Sequence, residues 1–186
     1  MNPKQIGEIT EQCIIAELMK IEIPISKPIG DNQPYDLLMD YNNEIYRCQC
    51  KTGKLKDGFI SFSVISHRIN TKHNYKTYYI GKIHFFLVYC QENQSFYFLP
   101  IEQCKTAKSE VRLRITKPKN NQTKYVQYAI NYTLDKIKSY IDNRLDNGGV
   151  TCYPVQSRQV PDESYTLDYR NGGDNINVGS NPTLPI

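Results

Sequence analysis

The stretch that decides the fold is Tyr35–Lys54, YDLLMDYNNEIYRCQCKTGK. It reads as a β-hairpin: an apolar arm from Tyr35 to Tyr41, Asn42-Asn43 as the turn, and a second arm from Glu44 to Lys51. Side chains alternate along a strand, so Tyr46, Cys48 and Cys50 share one face of the second arm while Arg47, Gln49 and Lys51 share the other. A strand that is apolar on one side thus ends in Gln49 and Lys51 on its other side. In the first arm Asp36 sits among Tyr35, Leu37 and Leu38, where a lone carboxylate is costly unless something satisfies it.

Upstream, Asn2 as N-cap and Pro3 at the first helical position predict a helix running to about Lys20, stopped by Pro24 and Pro28. Gly7, Glu11, Ile14, Ile15 and Leu18 fall on one stripe of it, so Glu11 interrupts an apolar face and is expected to point at the sheet. Glu8 and Glu17 lie off that stripe. A helix carboxylate, a strand carboxylate at Asp36 and a Gln-x-Lys closing the adjacent strand are the parts of a metal-dependent phosphodiesterase site. Their oxygens suit a hard divalent cation, and the Lys51 ammonium can hold an attacking water or a phosphate. The same spacing also admits a plain ion pair between Glu11 and Lys51.

Downstream, strands are expected at Phe59–Ile65, at the strongly apolar Ile83–Cys90 and at Ser95–Leu99, the last two joined by a turn over residues 91–94. Ser109–Thr116 alternates Val111, Leu113 and Ile115 against Arg112 and Arg114, which gives an amphipathic strand with a basic outer face. Tyr125–Tyr132 fits neither period. Leu134, Ile137, Ile141 and Leu145 then share one face of a closing helix. From Asp146 onward periodicity stops, and five of the ten glycines and four of the ten prolines gather there, so 146–186 reads as a disordered acidic tail after a domain spanning 1–145.

A chain of 186 residues with 39% hydrophobic content can bury one real core. No run approaches the roughly 18 apolar residues of a membrane helix, and the N-terminus has no signal-peptide pattern, so the expected location is the cytoplasm, with no membrane partner. Its six cysteines are then expected to be reduced. Cys48-x-Cys50 with His67, His73 or His84 could hold zinc, but two small buried hydrophobes on one strand face explain the same pattern. The net charge of +4 is uneven: two basic residues against five acidic ones from Asp146 onward leave 21 against 14, or +7, on Met1–Leu145. Such a body suits a polyanionic partner, as it also suits a solvated lysine-rich surface.

The segments from Gly7 to Lys20 and from Pro28 to Lys54 together resemble the core of the PD-(D/E)XK nuclease superfamily, and in particular its Gln-x-Lys subgroup, which includes homing endonucleases encoded within bacterial group I introns. Weaker similarity extends over Tyr78–Cys104 and Lys117–Gln122. The resemblance implies a restriction-endonuclease-like α/β (α+β) fold, an αβββαβ core with a mixed central sheet flanked by helices. It further implies double-stranded DNA as substrate and Mg2+, one or two ions per site, held by Glu11, Asp36 and Gln49, with Lys51 completing the catalytic set. Two departures stand out. Pro34 and Asp36 are separated by Tyr35, where the family places the two side by side. Gln49 replaces the usual carboxylate, which leaves two formal negative charges instead of three and favours weaker metal binding or a single occupied position.

Within that resemblance the expected activity is an intron-encoded, site-specific DNA endonuclease. A Holliday-junction resolvase or a restriction-type enzyme is the alternative within the superfamily, and a non-catalytic DNA-binding module is the alternative of another class. Cutting both strands needs two active sites or two successive events, so a homo-oligomer, at least a dimer, is expected. DNA contacts are expected from Arg68 and Lys72 in one polar stretch, and from Arg112, Arg114, Lys117, Lys119, Asn120, Asn121, Gln122 and Lys124 in another, since Arg, Asn and Gln pair with base edges while Lys stays on phosphate. Tyr79-Ile80-Gly81 is half of a GIY-YIG signature without its other half, and Ser66–Tyr75 lacks the spacing of a ββα-metal nuclease.

Overall fold

A computed structural model describes residues 1–30, 32–70, 73–116 and 126–146, with 67–70 and 73–77 described by backbone alone. Helix α1 (Pro3–Lys20) begins where the sequence places it. Asn2 Oδ1 accepts from the Gln5 amide at 2.9 Å and Gln5 Oε1 accepts from the Asn2 amide at 3.2 Å, which satisfies donors that the first turn leaves without partners. Its buried face is Thr10, Ile14 and Leu18. The expected stripe is therefore rotated: Gly7 is exposed, and Glu11 and Ile15 lie at the edge of the buried face. The pivot is Thr10, whose hydroxyl meets that of Thr52 on the sheet at 2.7 Å.

The strands follow as β1 (Ile25–Ser26), β2 (Leu37–Tyr41), β3 (Glu44–Lys56), β4 (Phe59–Ser63), β5 (Ile65–Asn70), β6 (His73–Tyr78), β7 (Phe85–Cys90), β8 (Ser95–Pro100) and β9 (Glu110–Arg114), and helix α2 (Ile137–Asp146) follows two 3-10 turns. One mixed sheet carries the order β1-β2-β3-β4-β9, with β7 on β3 and β8 on β7. Strand β3 runs on to Lys56 because it changes partners along its length. It pairs antiparallel with β2 over Glu44–Cys48, parallel with β7 over Cys48–Gly53, and antiparallel with β4 over Lys54–Lys56. Between β4 and β7 the chain forms the β5–β6 hairpin; the strand expected at Phe59–Ile65 ends at Ser63, and Ile65 opens β5, which runs on into the polar stretch beyond it.

Asn42 and Asn43 turn the β2–β3 hairpin with φ of 54° and 60°, the left-handed region that a two-residue turn demands and that asparagine tolerates. Strand β7 is buried on both faces, as suits a strand in parallel contact at the centre of a sheet. Phe85 and Leu87 join Ile14, Leu18, Leu37, Met39, Cys48, Ile137 and Ile141 in one cluster, beneath both helices. Phe86, Val88 and Cys90 join Ile60, Phe62, Leu99, Val111 and Leu113 in the other. Among the described residues, no helix is long and apolar enough to cross a membrane. The tail expected from Asp146 onward lies outside the described residues except for Asp146 itself, which ends α2.

Candidate active site

The β2–β3 register sets the site. Leu37 faces Cys48, and the ladder extends one step further, where the Asp36 amide donates to the Cys48 carbonyl at 2.8 Å. Asp36 is thereby brought opposite Gln49. Its Oδ2 accepts a hydrogen bond from Gln49 Nε2 and a second from the Cys50 amide at 2.7 Å. These are the groups that satisfy the carboxylate that looked misplaced in the sequence. Burial nevertheless holds the Asp36 carboxyl above the usual carboxylate range. The Cys50 N–H works against that shift, and the charge of Glu11 adds to it. Two carboxylates thus share one small region, where the charges of Lys51 and Lys27 offset only part of the cost of burying Asp36.

Glu11 reaches the site from α1, but its partner is Lys27, which follows β1; the expected alternative partner, Lys51, is engaged elsewhere. Lys51 Nζ donates to the Tyr79 hydroxyl at 3.3 Å and lies over the Tyr79 ring, 4.9 Å from its centroid. Tyr79 is itself buried and packs edge-to-face on Phe86, with ring centroids 5.4 Å apart. Thr52, next along β3, ties α1 to the strand through Thr10, so Glu11 and Lys51 are carried by two elements bolted together. A cleft of about 330 Å³ opens beside Gln49, lined also by Asn32, Gln33, Pro34, Ser66, Tyr79 and Lys82.

The donor set fits a hard divalent cation: two carboxylates, and a Gln49 carbonyl oxygen left over once its amide nitrogen is bonded to Asp36. Among the described residues, no three His, Cys, Asp or Glu side chains gather as a metal cluster. Cys50 lies close to Asp36 and Glu11, and burial, then the charge of Asp36, pushes its thiol well up, so it stays protonated there. His84 is held neutral, its pKa lowered to about 4 by burial and by Arg47. It accepts from the Arg47 amide through Nδ1 at 2.7 Å, clasping the start of β7 to β3.

Three partners of the site had no reading as such in the sequence: Lys27, Thr10 and Tyr79. Tyr79 did stand in a noticed motif, and the glycine that follows it, Gly81, has φ of 79° and turns the chain into β7. Of the expected DNA contacts, Arg112 lies on the exposed face of β9, where its Nε donates to Glu110 at 2.8 Å. Arg114 lies over the Phe59 ring at 4.6 Å and donates to the Thr116 carbonyl. Arg68 falls in β5, where only the backbone is described. Lys72, Lys117, Lys119, Asn120, Asn121, Gln122 and Lys124 lie outside the described residues.

No curated protein matches the chain. Its fold matches that of a bacterial homing endonuclease, I-Ssp6803I, with a TM-score of 0.62 at 23% identity, over 81% of this chain and 98% of that one. The family model of the PD-(D/E)XK endonucleases matches residues 1–135, and the chain belongs to that family.

Proposed function

We propose that the chain is a magnesium-dependent endonuclease acting on double-stranded DNA, and within that class an intron-encoded, site-specific homing enzyme. The reading is supported above all by Asp36, a half-buried carboxylate oriented by Gln49 and Cys50, with Lys51 next on the same strand face as Gln49 and the Glu11 charge within reach. Glu11 and Asp36 act as anionic ligands and Gln49 as a neutral one, its amide nitrogen fixing the Asp36 rotamer. Magnesium bound there supplies Lewis-acid polarisation of the scissile phosphate. Lys51, bonded to the Tyr79 that lines the cleft, has three donors on Nζ; one meets Tyr79 and the others are available for a phosphate oxygen and an attacking water. Buried Tyr79 keeps the ammonium from swinging into bulk solvent. The exposed Arg112 on β9 extends a basic face for the DNA backbone, and a homo-oligomer would supply the second active site for the second strand.

The test is cleavage of supercoiled plasmids, with and without a candidate intron-insertion site, in magnesium and in EDTA, for the wild type and Asp36→Asn. Metal-dependent cutting confined to the site-bearing plasmid and lost in a folded Asp36→Asn supports the proposal. Undiminished cutting by Asp36→Asn refutes the assignment of the site. Cutting of four-way junctions alone, or of both plasmids alike, refutes the homing role and leaves a resolvase or restriction-type nuclease.

A further inference from the structure

We propose that Lys27 is a tethered cation that holds the Glu11 carboxylate of the active site and gives way when a divalent metal binds there. The inference rests on the metal-dependent reading of that site. Glu11 is poorly exposed, at 22% of its side chain, and its ion-pair partner is Lys27. A buried or nearly buried carboxylate needs a compensating charge, and Lys51, the partner that the sequence spacing also admits, faces Tyr79 instead. The compensation therefore comes from outside the catalytic strand.

Lys27 is placed to leave as readily as it arrives. Its side chain is 51% exposed, so it reaches Glu11 from the solvent side. Its charge is also felt at Cys50 and, after that of Lys51, at Asp36, so Lys27 is the direct partner of Glu11 and acts on Asp36 only at a distance. That is the region a divalent cation held by Glu11 and Asp36 would have to enter. Glu11 Oε1 cannot pair with Lys27 and hold a metal at once without bringing the two cations into contact, where a divalent and a monovalent charge repel even in water. Metal binding and the Lys27–Glu11 pair therefore exclude one another. The metal-free site is kept neutralised, and the metal meets a built-in competitor that lowers its apparent affinity.

The test is isothermal titration of the full chain with calcium, without DNA, for wild type, Lys27→Met, Lys27→Arg, Asp36→Asn and Lys20→Met. Lys20 pairs with Glu17 on the outer surface of α1 and reports the general effect of removing one positive charge. Removing the competitor is expected to tighten calcium binding by about 5-fold or more, from the ion pair no longer broken and the repulsion no longer felt. Lys27→Arg should bind like the wild type and Lys20→Met should be unchanged. A second readout is thermal unfolding: in EDTA, Lys27→Met should melt about 2 °C lower, and saturating calcium should raise its melting temperature more than that of the wild type. Unchanged or weaker calcium binding by Lys27→Met, or equal tightening by Lys20→Met, overturns the proposal. If Asp36→Asn binds calcium as well as the wild type, the cation is not at this pair, and the metal reading of the site falls together with it. If Asp36→Asn loses calcium while Lys27→Met is unaltered, the site stands and only the role of Lys27 falls.

Discussion

Gln49→Glu is the most informative single change, because it restores the carboxylate usual in the family while breaking what this chain has built around Asp36. In the structure Gln49 Nε2 donates to Asp36 Oδ2. A glutamate there at neutral pH has no proton to donate, so a hydrogen bond to a charged acceptor is lost, worth about 1.5–3 kcal/mol. Two carboxylates would also stand in contact; at an effective dielectric constant of about 40 and a separation of about 3 Å their repulsion is about 3 kcal/mol. The pair can escape by taking up one proton. Protonating a carboxyl of ordinary pKa about 4.3 at pH 7 costs about 3.7 kcal/mol, which caps the total near 4 kcal/mol. The sign follows from the shared proton: the folded-state pKa lies above the unfolded one, so the deficit is absent below about pH 4, grows as pH rises and levels off above the folded pKa.

The assay is urea unfolding of wild type and Gln49→Glu from pH 4 to 8, in EDTA and in calcium. In EDTA the mutant should lose a large part of its stability at pH 7, set against the 5–15 kcal/mol typical of a domain, and recover on acidification. Calcium should restore it, since a ligand at about 100 times its Kd adds about 2.7 kcal/mol, and the midpoint of that recovery should lie at lower calcium than for the wild type. Equal stability of the two proteins in EDTA at pH 7, flat across the pH range, would refute the Gln49–Asp36 contact and the ligand role derived from it.

Lys51→Ala should lower cleavage about 100-fold or more while DNA binding, measured by filter retention, stays within a few-fold. Tyr79→Phe keeps the ring beneath the ammonium and removes only the hydroxyl at 3.3 Å, so kcat should fall about 5- to 10-fold with KM unaltered; a rise in KM at constant kcat would place Tyr79 in substrate binding instead. Gly53→Ala introduces a Cβ 2.9 Å from both Ile60 Cγ2 and Val88 Cγ1, and should destabilise the fold by about 1–3 kcal/mol in thermal unfolding, with an effect below 0.5 kcal/mol showing that β3 can shift there at no cost.

Much of the site follows from local chemistry legible in the sequence. The Asn42-Asn43 turn closes a two-residue hairpin, and that turn alone sets the register that brings Asp36 opposite Gln49. Strand alternation puts Gln49 and Lys51 on one face, the Asn2–Gln5 box starts α1, and the alternation of β9 leaves Arg112 outward. What tertiary structure alone decided are the partners. Lys27, not Lys51, meets Glu11, and Lys51 meets Tyr79, because each lysine is long enough to reach several acceptors and the choice is made by how distant segments close on one another. The rotation of α1 that moves Glu11 to the edge of the buried face is set by Thr10 finding Thr52, a contact that no helical periodicity contains. Strand β3 continues to Lys56 because β7 and β4 arrive to pair with it, and the β5–β6 hairpin forms over a stretch with no apolar alternation to announce it. Periodicity records which face of an element is buried; it carries nothing about which remote group will satisfy a charge at that face's edge, since that depends on long-range closure of the chain.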